Sequence, residues 1–294
     1  MASKGRTTTT RRAQTTTPPR SSSEPRRHAE RPTPPRPASL PRRKRAVRKV
    51  PGRLFVGVAG WSIPSRYGSE LPGEGSRLER YARRLQAVEI NSSFYRHHRA
   101  QTYARWAESV PKTFRFAVKA PQVFTHEGEL RAHPEVLDQF ADEIDGLGKK
   151  LAVVLVQLPP KLEFEAPAAR RFFKAMRKRI DAKFVCEPRH RSWSSEKAER
   201  LLAELSVARV AADPPLWSGG NEPGGDRGLV YFRWHGQPQK YFSDYGRECL
   251  ATLEKQIAAA KATEAWAIFD NTAHGHAIGN ALSLTSAVEA RRKK

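Results

Sequence analysis

Ionisable and amide side chains stand at the ends of several short apolar runs in this 294-residue sequence. Their types suit acid–base chemistry, because a carboxylate can accept a proton, a histidine can return it, and a guanidinium group can hold an anion through two parallel hydrogen bonds. The candidates for proton transfer or nucleophilic attack are Glu89, Lys119, Glu187, His190 and His235. The candidates for substrate contact are Trp61, Asn91, Tyr95, Gln157, Arg189, Trp193, Asp213, Arg233 and Asn271.

Two other chemistries stay open for the same residues. An oxygen-rich set with one imidazole would suit Mg²⁺ or Mn²⁺, as in a sugar isomerase or a phosphodiesterase. That set is Glu89, Glu187, Asp213 and His235. The neighbouring cations can balance these acids without an ion, so we expect no cofactor and keep a divalent metal as the alternative. Lys119 at the end of an apolar run could also form a Schiff base with a carbonyl compound.

For these side chains to meet, the apolar runs must form one sheet whose strands end on the same side. Eight runs are rich in β-branched or aromatic residues and read as buried parallel strands. They are Leu54–Gly60, Ala87–Ser93, Arg115–Pro121, Leu151–Leu158, Lys183–Pro188, Arg209–Asp213, Leu229–Gly236 and Glu264–Asn271. Amphipathic helical patterns lie between most of them, at Arg77–Gln86, Gln101–Ser109, Pro134–Leu147, Pro167–Ile180, Ser195–Leu205, Gly246–Ala262 and Ala277–Ala290.

Eight strands that alternate with helices over about 240 residues predict a single (β/α)₈ barrel of the TIM type, spanning residues 54–294. An open doubly wound sheet is the alternative, and the absence of a GxGxxG or Walker A motif weakens it. The connection between Asp213 and Gly228 is too rich in Gly and Pro for a regular helix. Because active sites of TIM barrels lie at the carboxyl ends of the strands, the candidate residues are expected to share one mouth.

Residues 1–53 differ sharply in composition from the rest of the chain. They hold 16 Lys and Arg, two acidic residues and nine prolines, and so carry +14 of the net charge of +23. Such a segment has too few large apolar residues to offset its ordering entropy, which predicts a disordered basic tail. Its arginine blocks would neutralise phosphates without reading sequence, so non-specific binding of RNA or DNA is the second hypothesis, against a solvated extension without a partner.

The expected location is the cytoplasm, with no membrane association. No apolar stretch approaches the ~20 residues that a membrane span needs, and the N-terminus lacks the apolar core of a secretory signal. Two cysteines are too few for a disulfide scaffold, and Cys186 reads as a small buried thiol within an apolar run. Nothing in the sequence indicates the oligomeric state.

Several motifs together resemble those of the YecE-like family, domain of unknown function 72. They are Gly60-Trp61-Ser62, Val88-Glu89-Ile90-Asn91-Ser92-Ser93-Phe94-Tyr95, Phe116-Ala117-Val118-Lys119-Ala120, Thr125-His126, Gln157-Leu158-Pro159-Pro160, Glu187-Pro188-Arg189-His190-Arg191-Ser192-Trp193, Tyr231-Phe232-Arg233-Trp234-His235-Gly236 and Asn280-Ala281. The resemblance implies a TIM-type barrel from residue 54 to about 285 but no reaction. Ser93 stands where the family usually has Thr, Asp270 stands where it often has Asn, and the basic tail is outside its pattern.

The combined expectation is an enzyme that acts by acid–base chemistry on a small anionic molecule, phosphorylated or sugar-like, at the mouth of the barrel. An isomerase, a lyase or a phosphodiesterase would fit this description. The alternative is a nucleic-acid-binding protein or a metal-dependent phosphodiesterase that uses the basic tail to associate with RNA or DNA.

Overall fold

A computed structural model of the protein describes residues 52–131 and 133–292. Its strands are β1 (Arg53–Ala59), β2 (Ala87–Ile90), β3 (Arg115–Lys119), β4 (Leu151–Gln157), β5 (Lys183–Glu187), β6 (Val207–Arg209), β7 (Ala211–Asp213), β8 (Gly224–Gly225), β9 (Leu229–Trp234) and β10 (Glu264–Phe269). Its α-helices are α1 (Arg77–Ala82), α2 (Ser92–Tyr95), α3 (Ala100–Glu108), α4 (Pro134–Asp145), α5 (Ala166–Arg179), α6 (Glu196–Glu204), α7 (Arg247–Ala259) and α8 (His276–Arg292). The predictions of disorder and of nucleic-acid binding for the tail concern residues outside this range and stay predictions.

The strands form one sheet that curves round into a barrel. Their order is β7-β9-β10-β1-β2-β3-β4-β5-β6-β8, and every pair is parallel except the short β6–β8 pair. Val210 alone separates β6 from β7; β6 pairs with β5, whereas β7 pairs with β9. The barrel therefore closes through one interrupted strand, with eight parallel positions in the ring. The predicted (β/α)₈ TIM-type barrel is confirmed.

All eight predicted strands end one to three residues earlier or are divided in the structure, and two of them differ most. The strand predicted at Arg209–Asp213 begins at Val207 and is interrupted at Val210. The strand predicted to extend to Ser93 ends at Ile90, because the chain turns there into the short helix α2. The Ser93 hydroxyl donates to the carbonyls of Ile90, at 3.0 Å, and of Lys119, at 2.7 Å, which is local bonding of the kind that competes with a strand ladder.

Side chains of alternate strand residues separate into two apolar clusters, as the two-residue period of a strand requires. The cluster inside the barrel is Phe55, Ala87, Ala117, Val153, Leu155, Val185, Ala208, Val210, Leu229, Tyr231, Trp266 and Ile268. The larger cluster lies between strands and helices and includes Val118, Val154, Phe184, Phe232 and Phe269. Among the strand residues, only the inward-facing ones can reach the barrel mouth, so strand parity decides which polar side chains of the strands belong there.

The amino ends of the strands are closed by Trp266 and a single ion pair. The Trp266 ring stacks on Tyr231 with 5.8 Å between centroids and lies 4.9 Å from Phe55. Its indole N–H donates to one oxygen of Glu264, at 2.9 Å, and Lys183 Nζ donates to the other, at 2.7 Å. This end of the interior is filled by packing and offers little room for chemistry.

No helix within the described residues is both long enough and apolar enough to cross a bilayer. The cytoplasmic location stays a prediction. Cys186 is buried and unpaired, as predicted for a small thiol in the core, and Cys249 is also a free thiol.

Candidate active site at the mouth of the barrel

A buried ion network forms the floor of the barrel mouth, and Arg233 of β9 is its centre. Arg233 is only 1% exposed; it donates from Nη2 to Glu89 at 2.8 Å and from Nη1 to Glu187 at 3.0 Å. Its Nη2 also lies 3.0 Å from Asp270 Oδ2. The Tyr231 hydroxyl donates to the second oxygen of Glu89 at 2.7 Å. Three carboxylates from three strands therefore share one guanidinium.

His235 and Arg189 complete this arrangement. His235 is fully buried, with Nε2 2.8 Å from Glu187 Oε1 and Nδ1 2.9 Å from Asp270 Oδ2. Arg189, two residues past the end of β5, reaches the same Glu187 oxygen at 2.7 Å and lies 3.2 Å from His235 Nε2. We call these six residues, Arg233, Glu89, Glu187, Asp270, His235 and Arg189, the Arg233 network.

The period of the strands explains why side chains far apart in sequence meet here. Several of the charged residues stand two positions after a member of the interior apolar cluster: Glu89 after Ala87, Lys119 after Ala117, Glu187 after Val185, Arg233 after Tyr231 and Asp270 after Ile268. Because all eight strand positions are parallel, their carboxyl ends share one rim. The apolar layer below therefore supports a charged layer above.

The cations of the network keep two of its acids ionised. Burial by itself would raise the pKa of Glu187, but the charges of Arg189 and Arg233 hold that pKa well below its usual range. Burial also opposes ionisation of Asp270, and the charge of Arg233 together with the His235 hydrogen bond lowers the pKa of Asp270. Carboxylates held in this way are weak bases, so their geometry favours a role in fixing Arg233 and His235.

Two amines at the mouth, Lys119 and Lys240, have lowered pKa values, which favours their uncharged form. Lys119 ends β3 and is 6% exposed, with Nζ 3.9 Å from the centre of the Phe94 ring; burial and the charge of Arg233 lower its pKa to about 8. Lys240, in the loop after β9, has its pKa lowered to about 8 by burial and the charge of Arg189. Within residues 52–131 and 133–292, neither amine forms a salt bridge with a carboxylate. The carboxylates of the Arg233 network attract both amines without pairing with them directly, and these two amines with Arg233 and Arg189 outnumber the three carboxylates by one.

Two of the predicted amide side chains border the network. Gln157, at the end of β4, has its Oε1 3.5 Å from Arg233 Nη1. Asn91, immediately after β2, has a buried side-chain oxygen for which the described residues provide no hydrogen-bond partner. Gln157 is therefore placed to contact a molecule above the network, whereas for Asn91 the structure shows only the unpartnered oxygen.

Asp213 and Asn271 serve the loop that follows β9. Asp213 accepts hydrogen bonds from the Tyr245 hydroxyl at 2.7 Å and from Gln237 Nε2 at 3.2 Å. Asn271 donates to the Ser243 carbonyl and to the Asn280 side chain, each at 2.9 Å. Their side-chain contacts hold residues 237–245 in place, and the Asp213 carbonyl accepts from the His235 backbone N–H at 2.7 Å, beside the Arg233 network.

Four further predicted residues lie outside the charged centre. His190 bonds Ser192 at 2.9 Å within its own loop, and the buried Trp193 donates to the Leu162 carbonyl at 3.0 Å. The ring of Trp61 packs edge-on against Trp106 of α3, with 5.0 Å between centroids. Tyr95 is 73% exposed at the rim. The structure thus brings Glu89, Lys119, Glu187, His235, Arg189 and Arg233 together and places these four around or away from them.

Sequence reasoning left out three residues of the mouth. Tyr231 and Asp270 could have been found by strand parity, because each stands two positions from a recognised inward-facing residue, Arg233 or Ile268. Lys240 lies in an irregular loop, where no periodicity predicts the direction of a side chain.

The residues proposed as a metal set are divided between two sites. Asp213 bonds Tyr245, whereas Glu89, Glu187 and His235 belong to the Arg233 network. Among the residues described, no group of three or more His, Cys, Asp and Glu side chains is arranged to hold a metal ion. The divalent-metal hypothesis stays a prediction.

A TIM-type barrel with a charged mouth is the class that this fold and site define. Residues 55–294 match the family described as "Protein of unknown function DUF72", and the chain belongs to that family. The resemblance read from the sequence motifs is thereby confirmed.

Relatives and solved structures support the same assignment. The UPF0759 protein YunF of Bacillus subtilis (strain 168) is 23% identical over an alignment of 258 residues that covers 77% of this chain and 92% of YunF. The UPF0759 protein YecE of Escherichia coli (strain K12) is 27% identical over 54% of this chain and 59% of YecE. Crystal structures of DUF72 family proteins from Enterococcus faecalis V583 and Thermotoga maritima MSB8 align with TM-scores of 0.68 and 0.66, at 22% and 23% identity. They cover 80% and 81% of this chain and 95% and 99% of their own chains, and they share its fold.

Proposed function

We propose that the barrel mouth binds a small anionic molecule and that Lys119 exchanges a proton with it. The observation that carries this proposal is the imbalance of charge at the mouth. The acids of the Arg233 network are already engaged by its own cations, while Lys119 and Lys240 have no carboxylate partner among the described residues. An anion bound between these amines would supply the missing negative charge.

The basic groups at the mouth also act on one another. After burial, the charge of Arg233 is the main factor that lowers the pKa of Lys119, and the charge of Arg189 has the same effect on Lys240. Burial, Lys119 and Arg189 together lower the pKa of His126. A phosphate or carboxylate relieves such repulsion, and ammonium and guanidinium groups donate well to its oxygens.

Lys119 is better suited to accept a proton than the carboxylates predicted for that role. Its pKa of about 8 leaves part of the amine neutral at ordinary pH, which is the property required of a general base. Glu89 and Glu187 are fully buried and bonded to Arg233. A reaction of the isomerase or lyase type, in which a proton leaves a carbon next to an anionic group, fits this distribution of roles.

Binding of inorganic phosphate and sulfate, measured by isothermal titration calorimetry, tests the anion site. We expect Lys240→Met to weaken binding by about tenfold, the loss of one charge-assisted hydrogen bond, and Lys197→Met, an exposed lysine on α6, to leave it unchanged. Affinity should fall as the pH rises through about 8, because the amines lose their charge there. Equal affinity in Lys240→Met and the wild type would contradict the proposal.

A further inference from the structure

We infer that Lys119 is a nucleophile that forms an imine with a small carbonyl compound carrying a phosphate or a carboxylate group. This inference rests on the anion site of the proposed function and names its substrate class; the neutral Lys119 amine then attacks the carbonyl carbon instead of taking a proton from carbon. Lys119 stands at the carboxyl end of β3 on the inward-facing side, directly above Ala117 of the interior cluster. It is therefore positioned where barrel active sites are built.

The surroundings of the amine differ from those of Lys183, which is exposed, and of Lys150, which is partly buried. Lys183 Nζ donates to Glu264 at 2.7 Å, and Lys150 Nζ donates to the carbonyls of Ala107 and Val110. Lys119 Nζ makes no hydrogen bond to a described residue and instead lies against the face of Phe94. Among the described residues, Lys119 Nζ is not one of the fully buried polar atoms that lack a partner, so the amine itself reaches the open mouth while the rest of the side chain is buried.

The same surroundings favour nucleophilic attack. An apolar contact and nearby cations both disfavour the ammonium form, and a buried lysine beside another cation is the arrangement that activates amines for Schiff-base chemistry. Arg233 supplies that neighbouring charge, and burial with Arg233 brings the Lys119 pKa to about 8. Part of the amine is therefore free to react without any external base.

The step conserves atoms, electrons and protons. The neutral Lys119 nitrogen attacks the carbonyl carbon, the new C–N bond forms, and the carbonyl electron pair moves to oxygen, giving a carbinolamine. The C–O bond then breaks and a protonated imine remains. Relative to the ammonium form of Lys119, the nitrogen of the protonated imine has lost two protons, and these leave with the carbonyl oxygen as water. The step therefore needs no oxidant, reductant or co-reactant.

Other residues at the mouth supply the rest of the recognition. Arg189 and Lys240 provide the charge that holds the anionic group and so set the position of the carbonyl carbon. The ring of His126 packs edge-on against Phe94, with 5.0 Å between centroids, and the positive charge of Lys119 helps lower its pKa. His126 would carry the proton from the amine to the departing oxygen, directly or through one water molecule.

Borohydride trapping of the full-length protein tests the inference. Dihydroxyacetone phosphate provides the phosphate arm, pyruvate the carboxylate arm, and dihydroxyacetone the uncharged control. We expect reduction to leave one adduct, mapped by peptide mass spectrometry to Lys119, with at least one anionic probe and about tenfold less with dihydroxyacetone, given the one charge-assisted contact that it lacks. Lys119→Met should abolish that adduct, and Lys197→Met should keep it.

The outcomes separate this inference from the proposal on which it rests. Phosphate binding with no adduct at Lys119, or labelling spread equally over exposed lysines, overturns the imine and leaves the anion site standing. An adduct at Lys119 that forms equally well with dihydroxyacetone supports the imine and contradicts the anion site. If Lys119→Met does not fold, the mapped position of the adduct in the wild type gives the same decision.

Discussion

Both ends of the barrel interior contain charged residues, but these differ in number and in how deeply they are buried. At the amino ends of the strands, Lys183 and Glu264 form one 2.7 Å ion pair whose lysine side chain is 52% exposed. At the carboxyl ends, Arg233 is almost completely buried and contacts Glu89, Glu187 and Asp270 at 2.8–3.0 Å. One end is closed mainly by packing, whereas the other holds most of the interior charge.

The difference matters because burial changes what an ion pair contributes. A solvated pair adds little to stability and is lost at little cost. A buried network is expensive to desolvate, and it becomes strongly destabilising when one member is removed. Trp266 shows that a ring of apolar side chains can close this barrel without such a network. We therefore interpret the charged end as built for a ligand and the apolar end as built for stability.

The largest expected effect follows from removing the central cation. Arg233→Met would leave Glu89, Glu187 and Asp270 buried without their shared partner, at a cost of about 3–5 kcal/mol in the free energy of unfolding. Lys183→Met at the other end should cost less, about 1–2 kcal/mol, because the lysine side chain is half exposed and the buried Glu264 carboxylate keeps the Trp266 N–H as a donor. Urea denaturation of both variants against the wild type measures the two values. Equal losses of unfolding free energy in the two variants would show that the buried network and the half-exposed pair contribute alike.

A second effect is expected in acid. Glu187 and Asp270 have folded-state pKa values below their usual range, so the unfolded chain binds more protons than the folded one as the pH drops. Their contribution is present above the ordinary carboxylate pKa values and is lost as the pH falls through the lowered ones. We expect a decrease on the order of 2 kcal/mol below about pH 4. Urea midpoints at successive pH values measure it.

Glu187→Gln is the variant that sharpens this test. It removes the acid with the strongly lowered pKa and should flatten the acid part of the profile, while lowering stability at neutral pH. Replacing Glu264 of the partly exposed pair by Gln should leave the shape of the profile close to that of the wild type. A profile that keeps its full acid dependence in Glu187→Gln would assign the effect to other groups.

Periodicity explains how much of this architecture could be predicted. Apolar runs bounded by turn residues predicted the eight strand positions, and the fixed alternation of side chains along β9 places Arg233 and His235 on one face. The parallel order then required the strand ends to meet. The charged centre was accessible to sequence reasoning for this reason.

Loops are where that reasoning failed. Nothing periodic determines the course of the chain after β5, where His190 bonds Ser192 and the Trp193 indole N–H donates to the Leu162 carbonyl. Lys240 reaches the mouth from another irregular loop. A hydrogen bond formed only in the tertiary structure also ended β2 early, at Ile90, through the Ser93 hydroxyl. Such contacts depend on the folded surroundings and leave no pattern in the local sequence.

A smaller effect on stability is expected at alkaline pH, where Lys119 titrates. Its folded-state pKa of about 8 lies below the ordinary lysine value, so the unfolded chain binds more protons between about pH 8 and 10.5, and stability should rise with pH across that window. Lys119→Met should reduce this rise. At pH 7 it should be more stable than the wild type by an amount on the order of 1 kcal/mol, since the lost cation–π contact offsets part of the relieved desolvation. Urea titrations at pH 7 and 10 check both points, and a destabilised Lys119→Met at pH 7 would contradict them.

The smallest effect is expected at the rim. Tyr95 is 73% exposed, and its ring meets Phe94 edge-on with 4.9 Å between centroids, so Tyr95→Ala should change the free energy of unfolding by about 0.5 kcal/mol or less. Phosphate has no face for an aromatic ring to stack on, and its affinity should stay within about twofold of the wild type, less than the loss of a single hydrogen bond. Calorimetric titration and urea denaturation measure these two quantities. A Tyr95→Ala variant that loses phosphate binding as completely as Lys240→Met would extend the anion site outward to the rim, whereas retained binding confines it to the charged layer above the Arg233 network.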